Sequence, residues 1–188
     1  MRILVLFSTT EGHTRKLAQF AAARLRGGGH EVHLHDAADS DLPDATGFEV
    51  AFLLASVHLG RYHYSFVEFA RNNHNVLNVI PTAFVSVSLS AAGDNPSDLA
   101  GIRACVDRLE QDTLWHPGVV YHAGGAMRFS AYGFFTKLAI KYIARQRGKS
   151  VKTSEDYDLT DYTAFETFID RFAAGAISLK GQPRDAAQ

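Results

Sequence analysis

Residues 3–7, Ile-Leu-Val-Leu-Phe, are an unbroken apolar run, followed at once by Ser8, Thr9, Thr10, Glu11, Gly12, His13 and Thr14. Such a run predicts a strand buried on both faces of a parallel sheet. A helix follows, with Leu17, Phe20, Ala21 and Leu25 on one stripe, Arg15, Lys16 and Arg24 off it, and Gly27 to Gly29 ending it. Val32 and Leu34 alternate with polar neighbours over residues 30–35, the pattern of an edge strand, and residues 50–55 are again continuously apolar. Phe66, Val67, Phe69 and Ala70 predict a short helix, residues 82–87 a fourth strand, and Pro96 to about Asp112 a helix with Leu99, Ile102, Val106 and Leu109 inward. Residues 119–123 supply a fifth strand, and a last amphipathic helix carrying Phe165, Phe168, Ile169 and Phe172 begins at Thr160-Asp161.

Five strands separated by helices predict an α/β fold: a doubly wound, five-stranded parallel sheet in the order 2-1-3-4-5. Its ligand crevice lies at the carboxyl ends of strands one, three and four, where the winding reverses. The interval before the last helix is longer than such a domain needs. The expectation is one domain over 1–179, an insert at about 126–158, and a polar tail over 180–188. In the insert, Tyr132, Phe134, Phe135, Leu138, Ala139, Tyr142 and Ile143 share one helical arc while Lys137, Lys141 and Arg145 share another. An extra amphipathic helix over Tyr132 to Arg147 fits two roles, lying on an anionic membrane surface or packing on the domain.

With 188 residues the chain supports one core, and 19 basic against 20 acidic residues remove any global attraction for nucleic acid. No nucleic-acid partner is expected. The single cysteine, Cys105, excludes an intrachain disulfide and sits in a helical pattern as a buried structural thiol. Met1-Arg2 enters a core strand with no leader, and no apolar run is long enough to span a bilayer, so a cytoplasmic protein is expected. His30, His33 and His35 read as the exposed side of an edge strand, and no metal is predicted.

The loop after the first strand lacks both the Lys-Ser/Thr ending of a P-loop and the three-glycine spacing of a dinucleotide fold. Hydroxyls, backbone amides and a helix N-terminus remain, a donor set suited to a monophosphate. An ordinary strand-to-helix turn capped by Ser and Thr has the same composition. Two further loops reach the same place: Ser56-Val57-His58-Leu59-Gly60-Arg61-Tyr62-His63, and Ser86-Val87-Ser88-Leu89-Ser90-Ala91-Ala92-Gly93. Their small hydroxyls and amides suit a planar heterocycle lying against backbone.

Four segments carry a resemblance: Phe7-Ser8-Thr9 with Gly12 and Thr14; Ala55-Ser56 with Gly60, Tyr62, His63 and Phe66; Pro81 to Phe84 with Ser86-Val87; and Gly124 to Phe129. Over nearly its whole length the chain resembles the flavodoxin-like FMN proteins, and most closely the menaquinone-dependent protoporphyrinogen dehydrogenases of haem synthesis. The resemblance implies that Ser8, Thr9, Thr10, Glu11, Gly12, His13 and Thr14 hold the FMN phosphate. It implies that Ser56, Val57, His58 and Gly60, with Ser86, Val87, Ser88, Leu89, Ser90 and Ala91, flank the isoalloxazine. The implied partners are protoporphyrinogen IX, menaquinone or ubiquinone, and the inner face of the cell membrane, met peripherally. Arg61 and Arg128 are candidates to pair with substrate propionates and His63 to move protons. The alternatives are solvated surface arginines and a hydrogen-bonded structural histidine. The insert is less densely basic than the resemblance implies, with Ser130, Ala131, Gly133 and Phe134, and the third loop offers Leu89 where an aromatic would stack. Two other activities share the cofactor: a one-electron carrier, against which the net charge of -1 argues because carriers steer by strong acidity, and an FMN-dependent quinone reductase.

Overall fold

The computed structural model describes residues 1–93, 95–127 and 157–178. Strands β1 (Arg2–Ser8), β2 (Glu31–Asp36), β3 (Val50–Ser56), β4 (Thr82–Ser88) and β5 (Val119–Gly124) form one parallel sheet in the order β2-β1-β3-β4-β5. The expected order and winding are those observed. Alternation along each strand divides the apolar side chains between two cores. Ile3, Val5, Phe7, Phe52, Leu54, Val85 and Val87 pack under α1 (His13–Gly27) and the C-terminal helix (Tyr162–Ser178), which supplies Phe165, Ile169 and Phe172. Leu4, Leu6, Leu53 and Phe84 face α2 (Tyr64–Asn72), the short α3 (His74–Leu77) and α4 (Pro96–Thr113), with Trp115 fully buried among them.

Local chemistry ends α1 and opens α4 where the sequence predicts. The amides of Gly28 and Gly29 return to the carbonyls of Arg24 and Arg26, and Gly29 has φ +81. Asn95 Oδ1 accepts the Ser97 amide at 3.0 Å and Pro96 opens α4. Three elements were not expected. Helix α3 is a single turn, too short to show a period. Strands β6 (Ala126–Met127) and β7 (Tyr157–Asp158) form an antiparallel pair at the place where the expected insert leaves and rejoins the domain. The C-terminal helix, α5, starts at Tyr162 with Asp161 Oδ1 accepting the Ala164 amide, one to two residues later than expected. Arg128, the expected helix over Tyr132 to Arg147 and the tail over 180–188 lie outside the described residues. Among the described residues, no helix is long and apolar enough to cross a membrane.

Candidate cofactor site

The carboxyl ends of β1, β3 and β4 open into one crevice. Its walls are the loop from Thr9 to Thr14, the segment from Ser56 to Leu59, Val87 to Leu89, and Gly125-Ala126. Gly12 turns the first loop at φ +83, a left-handed conformation that favours glycine, and its amide donates to Thr9 Oγ1 at 2.8 Å. No side chain caps α1, so the donors of its first turn remain at the crevice together with the positive end of the helix dipole.

His13, the first residue of α1, is buried and anchors that turn. Its Nε2 lies 2.9 Å from Thr160 Oγ1 and 3.7 Å from Asp158 Oδ1, and Thr160 Oγ1 donates to the Gly124 carbonyl at 2.7 Å. Asp158 also accepts from the Thr160 amide at 3.0 Å and from the Tyr162 hydroxyl at 2.9 Å. Burial alone pushes the Asp158 carboxyl up, but these bonds and the neighbouring His13 ring outweigh it and hold the group below the usual carboxylate range. Burial and the bond to Asp158 push the Tyr162 phenol up to about 12.

The second loop is a two-residue hairpin. His58 and Arg61 exchange both backbone bonds, at 2.8 and 3.1 Å, around Leu59 at φ 49 and Gly60 at φ 74. Positive φ at both central residues is the turn that suits strand twist, yet only Gly60 adopts it without strain. Leu59 is 82% exposed and stands at the crevice wall. Gly60 and Arg61 turn to the opposite side, against α2 and α4, which corrects the place expected for Gly60 beside the cofactor. Cys105 is a second correction: it is only partly buried, lines that same opposite side, and donates its thiol to the Gly60 carbonyl at 3.4 Å. His63 is the N-cap of α2, its Nδ1 accepting from the Ser65 amide and lying 2.9 Å from Ser65 Oγ. His63 thus has the hydrogen bonding of the structural alternative.

Strand parity corrects two serines. Ser8 and Ser86 lie in one cross-strand row with Ala55 on the α2–α4 face of the sheet, below the crevice rather than in its wall. Ser86 is fully buried and its hydroxyl pairs with Tyr62 at 2.8 Å, while burial pushes the Tyr62 phenol well up. In the third loop Ser88 Oγ accepts the Ala91 amide at 3.2 Å, folding Leu89 to Ala92 into one tight turn. Ser90 and Ala91 thereby fall outside the wall, a further correction, while Val87, Ser88 and Leu89 remain in it. Gly125 completes the wall: its amide donates to the Ser88 carbonyl at 2.9 Å, and a Cβ there would stand 3.3 Å from the Leu89 amide nitrogen.

The donor set fits a phosphorylated planar cofactor. Ser56 Oγ, at the crevice wall, and Ser8 Oγ, just below, are buried with no hydrogen-bond partner among the described residues. An orphaned buried hydroxyl costs about 1–3 kcal/mol, which a ligand at that wall offsets. The tie from His13 to Thr160 escaped the sequence reading, which named Leu59 only as part of the second loop and Gly125 and Ala126 only as part of the segment from Gly124 to Phe129. Only the paired glycines Gly124-Gly125 signalled that backbone approaches closely there.

The flavodoxin domain family's model matches residues 4–154. The chain belongs to that family. As a flavodoxin domain it takes FMN as its indicated cofactor. It is 26% identical to a protoporphyrinogen IX dehydrogenase [quinone] from Leishmania major, over 97% of this chain and 79% of that one. It is 27% identical to the protein of the same name from Escherichia coli K12, over 92% of this chain and 95% of that one. Among solved structures, a cysteine-to-serine mutant of flavodoxin from Pseudomonas aeruginosa superimposes with a TM-score of 0.57 at 17% identity, over 96% of this chain and all of that one. A short-chain flavodoxin associated with a PDU bacterial microcompartment gives 0.55 at 12% identity, over 96% and 99%. At these identities the structural likeness speaks for the flavodoxin fold.

Proposed function

We propose that this flavodoxin domain is an FMN-dependent dehydrogenase that oxidises protoporphyrinogen IX to protoporphyrin IX with a quinone as acceptor. The observation that carries the reading is the near-full-length relation to two dehydrogenases of that name, in a chain whose crevice wall holds an orphaned serine hydroxyl beside an uncapped helix. Bound FMN supplies two-electron redox chemistry.

The chain's own residues bind and orient. Thr9, Thr10, Gly12, His13 and Thr14 hold the phosphate through hydroxyls and amides, with the backbone of Glu11 between them. Ser56, Val57, His58 and Leu59 form one wall for the ring, and Val87, Ser88, Leu89 and Gly125 the other. The crevice offers about 140 Å3, below the size of a site that engulfs its ligand, so its residues would cover a bound ring only in part. An open ring edge suits a substrate as broad as a tetrapyrrole. Six electrons and six protons leave the porphyrinogen, and three quinones take them up as three quinols. A membrane contact through the Tyr132 to Arg147 segment and a propionate contact at Arg128 belong to the same proposal, since both oily reactants partition to bilayers.

Anaerobic mixing of FMN-loaded protein with protoporphyrinogen IX, followed at the flavin absorption band and then by addition of menaquinone or ubiquinone, tests the reading. Bleaching by the porphyrinogen and recovery on quinone addition are expected. A bound flavin inert to both overturns it in favour of an electron carrier.

A further inference from the structure

The hairpin from His58 to Arg61 separates two cavities. Behind it, between α2 and α4, lies a space of about 270 Å3 into which Gly60 and Arg61 face. Three arginines border it, Arg61, Arg71 and Arg108, against one carboxylate, Asp112. Three other arginines are matched by carboxylates: Arg24 holds Glu166 and Asp170 at 2.7 Å, Arg15 holds Asp36 at 2.9 Å, and Arg2 lies 3.5 Å from Glu31. Here, among the described residues, none of the three guanidiniums forms an ion pair. Arg71 is oriented by its Nε, which donates to the Asp112 backbone carbonyl at 3.0 Å and leaves the terminal nitrogens for another acceptor. Like charges gathered round a concavity repel one another, and the planar guanidinium fork matches an oxyanion bidentately. Val67 and Leu109 give the cavity an apolar surface that limits water's competition for such a bond.

We propose that this second cavity binds an oxyanion, a carboxylate or phosphate group, through Arg61, Arg71 and Arg108. Two sources carry that chemistry: a small free anion, or a carboxylate arm of a larger ligand whose body occupies the crevice across the hairpin. The second source rests on the proposed function; the first does not. Either one fixes Arg61 and so braces from behind the same hairpin whose Leu59 stands at the cofactor crevice.

The cavity contains its own reporter. Cys105 lines it and is the chain's one cysteine, so alkylation by iodoacetamide, followed by intact mass, reads occupancy without reference to turnover. FMN-loaded protein is treated with and without inorganic phosphate, and with and without protoporphyrin IX, at constant ionic strength set by chloride. Saturable protection is expected, roughly tenfold at ten times the dissociation constant. It should vanish in Arg61→Gln/Arg108→Gln, whose exposed positions leave the fold intact by circular dichroism. Protection by phosphate supports a free anion; protection by protoporphyrin IX but not phosphate supports a carboxylate arm. No saturable protection by either, or equal protection in the double variant, overturns the site. The phosphate arm stays informative even if the porphyrinogen reading fails, and absence of protection in the parent protein with intact porphyrinogen oxidation overturns the site alone.

Discussion

Thr160 gives its only hydroxyl proton to the Gly124 carbonyl, so across the 2.9 Å to His13 the imidazole is the donor and Nε2 carries a hydrogen. One side chain thus ties the first turn of α1 to the end of β5 and to the segment entering α5. The loop after β1 is held from behind by residues nearly a chain length away.

Thr160→Val removes both bonds while keeping the side-chain volume. The expected result is a loss of about 1–2 kcal/mol in unfolding free energy. FMN affinity should weaken by roughly tenfold, since a misplaced first turn aims its amides poorly. Thr160→Ser should restore both. Urea unfolding and quenching of flavin fluorescence on binding measure the two effects separately.

Asp158 makes this region acid-sensitive. Its folded-state carboxyl lies below its unfolded value of about 3.9, so the stability it contributes is fully present above that pH and lost as pH falls through the folded value. Asp158→Asn should be less stable than the parent at pH 7, and the difference should shrink as pH drops below about 3.9. Urea midpoints at a series of pH values give the curve; a constant gap would separate Asp158 from the acid response.

Gly12 sits at φ +83 with open space where a Cβ would stand, so the penalty for a side chain is conformational rather than steric. Gly12→Val should cost about 1–3 kcal/mol locally by moving the loop out of the left-handed region. The sheet and helices should survive by circular dichroism while FMN retention is lost. Normal flavin content in the purified variant would remove this loop from the cofactor site.

Gly124 has the opposite problem. Its φ is ordinary, but a Cβ would clash with the Leu159 carbonyl oxygen and reach 3.1 Å from the Ala92 Cβ. Gly124→Ala should therefore destabilise by about 1–3 kcal/mol, through overpacking of backbone against backbone. Thermal unfolding of the apo form measures it, since the clash needs no ligand.

The five strands were legible because each reads as an apolar run or an alternation: β1, β3 and β4 are buried on both faces, while β2 and β5 are the partly exposed edges. The one-turn α3 and the two-residue strands β6 and β7 were not, since a period needs several residues and Ala126 pairs with Asp158 across 32 positions. Ser86 was readable in principle: it has the parity of Phe84, which packs on the α2–α4 face, whereas Val85 and Val87 face α1 and α5. Arg61 was not, because Gly60 marks a turn but Leu59 conceals that the turn has positive φ at both central positions, and that decides which way Arg61 points. Among the crevice residues, the hydroxyl and glycine positions of the first loop carried their own signal, while the tie from His13 to Thr160 depends on tertiary proximity alone.

Leu59 concentrates two unfavourable features in one residue, a left-handed backbone that glycine or asparagine would adopt more easily and an apolar side chain left 82% in water. Both belong to the hairpin by itself. A flat aromatic ring lying beneath Leu59 would take its methyl groups out of solvent without altering the backbone, so part of the affinity of this site is set by how uncomfortable the hairpin is when alone. Relieving the hairpin would make the apo protein more robust and its grip on the cofactor weaker, which places stability and cofactor retention in opposition at a single position.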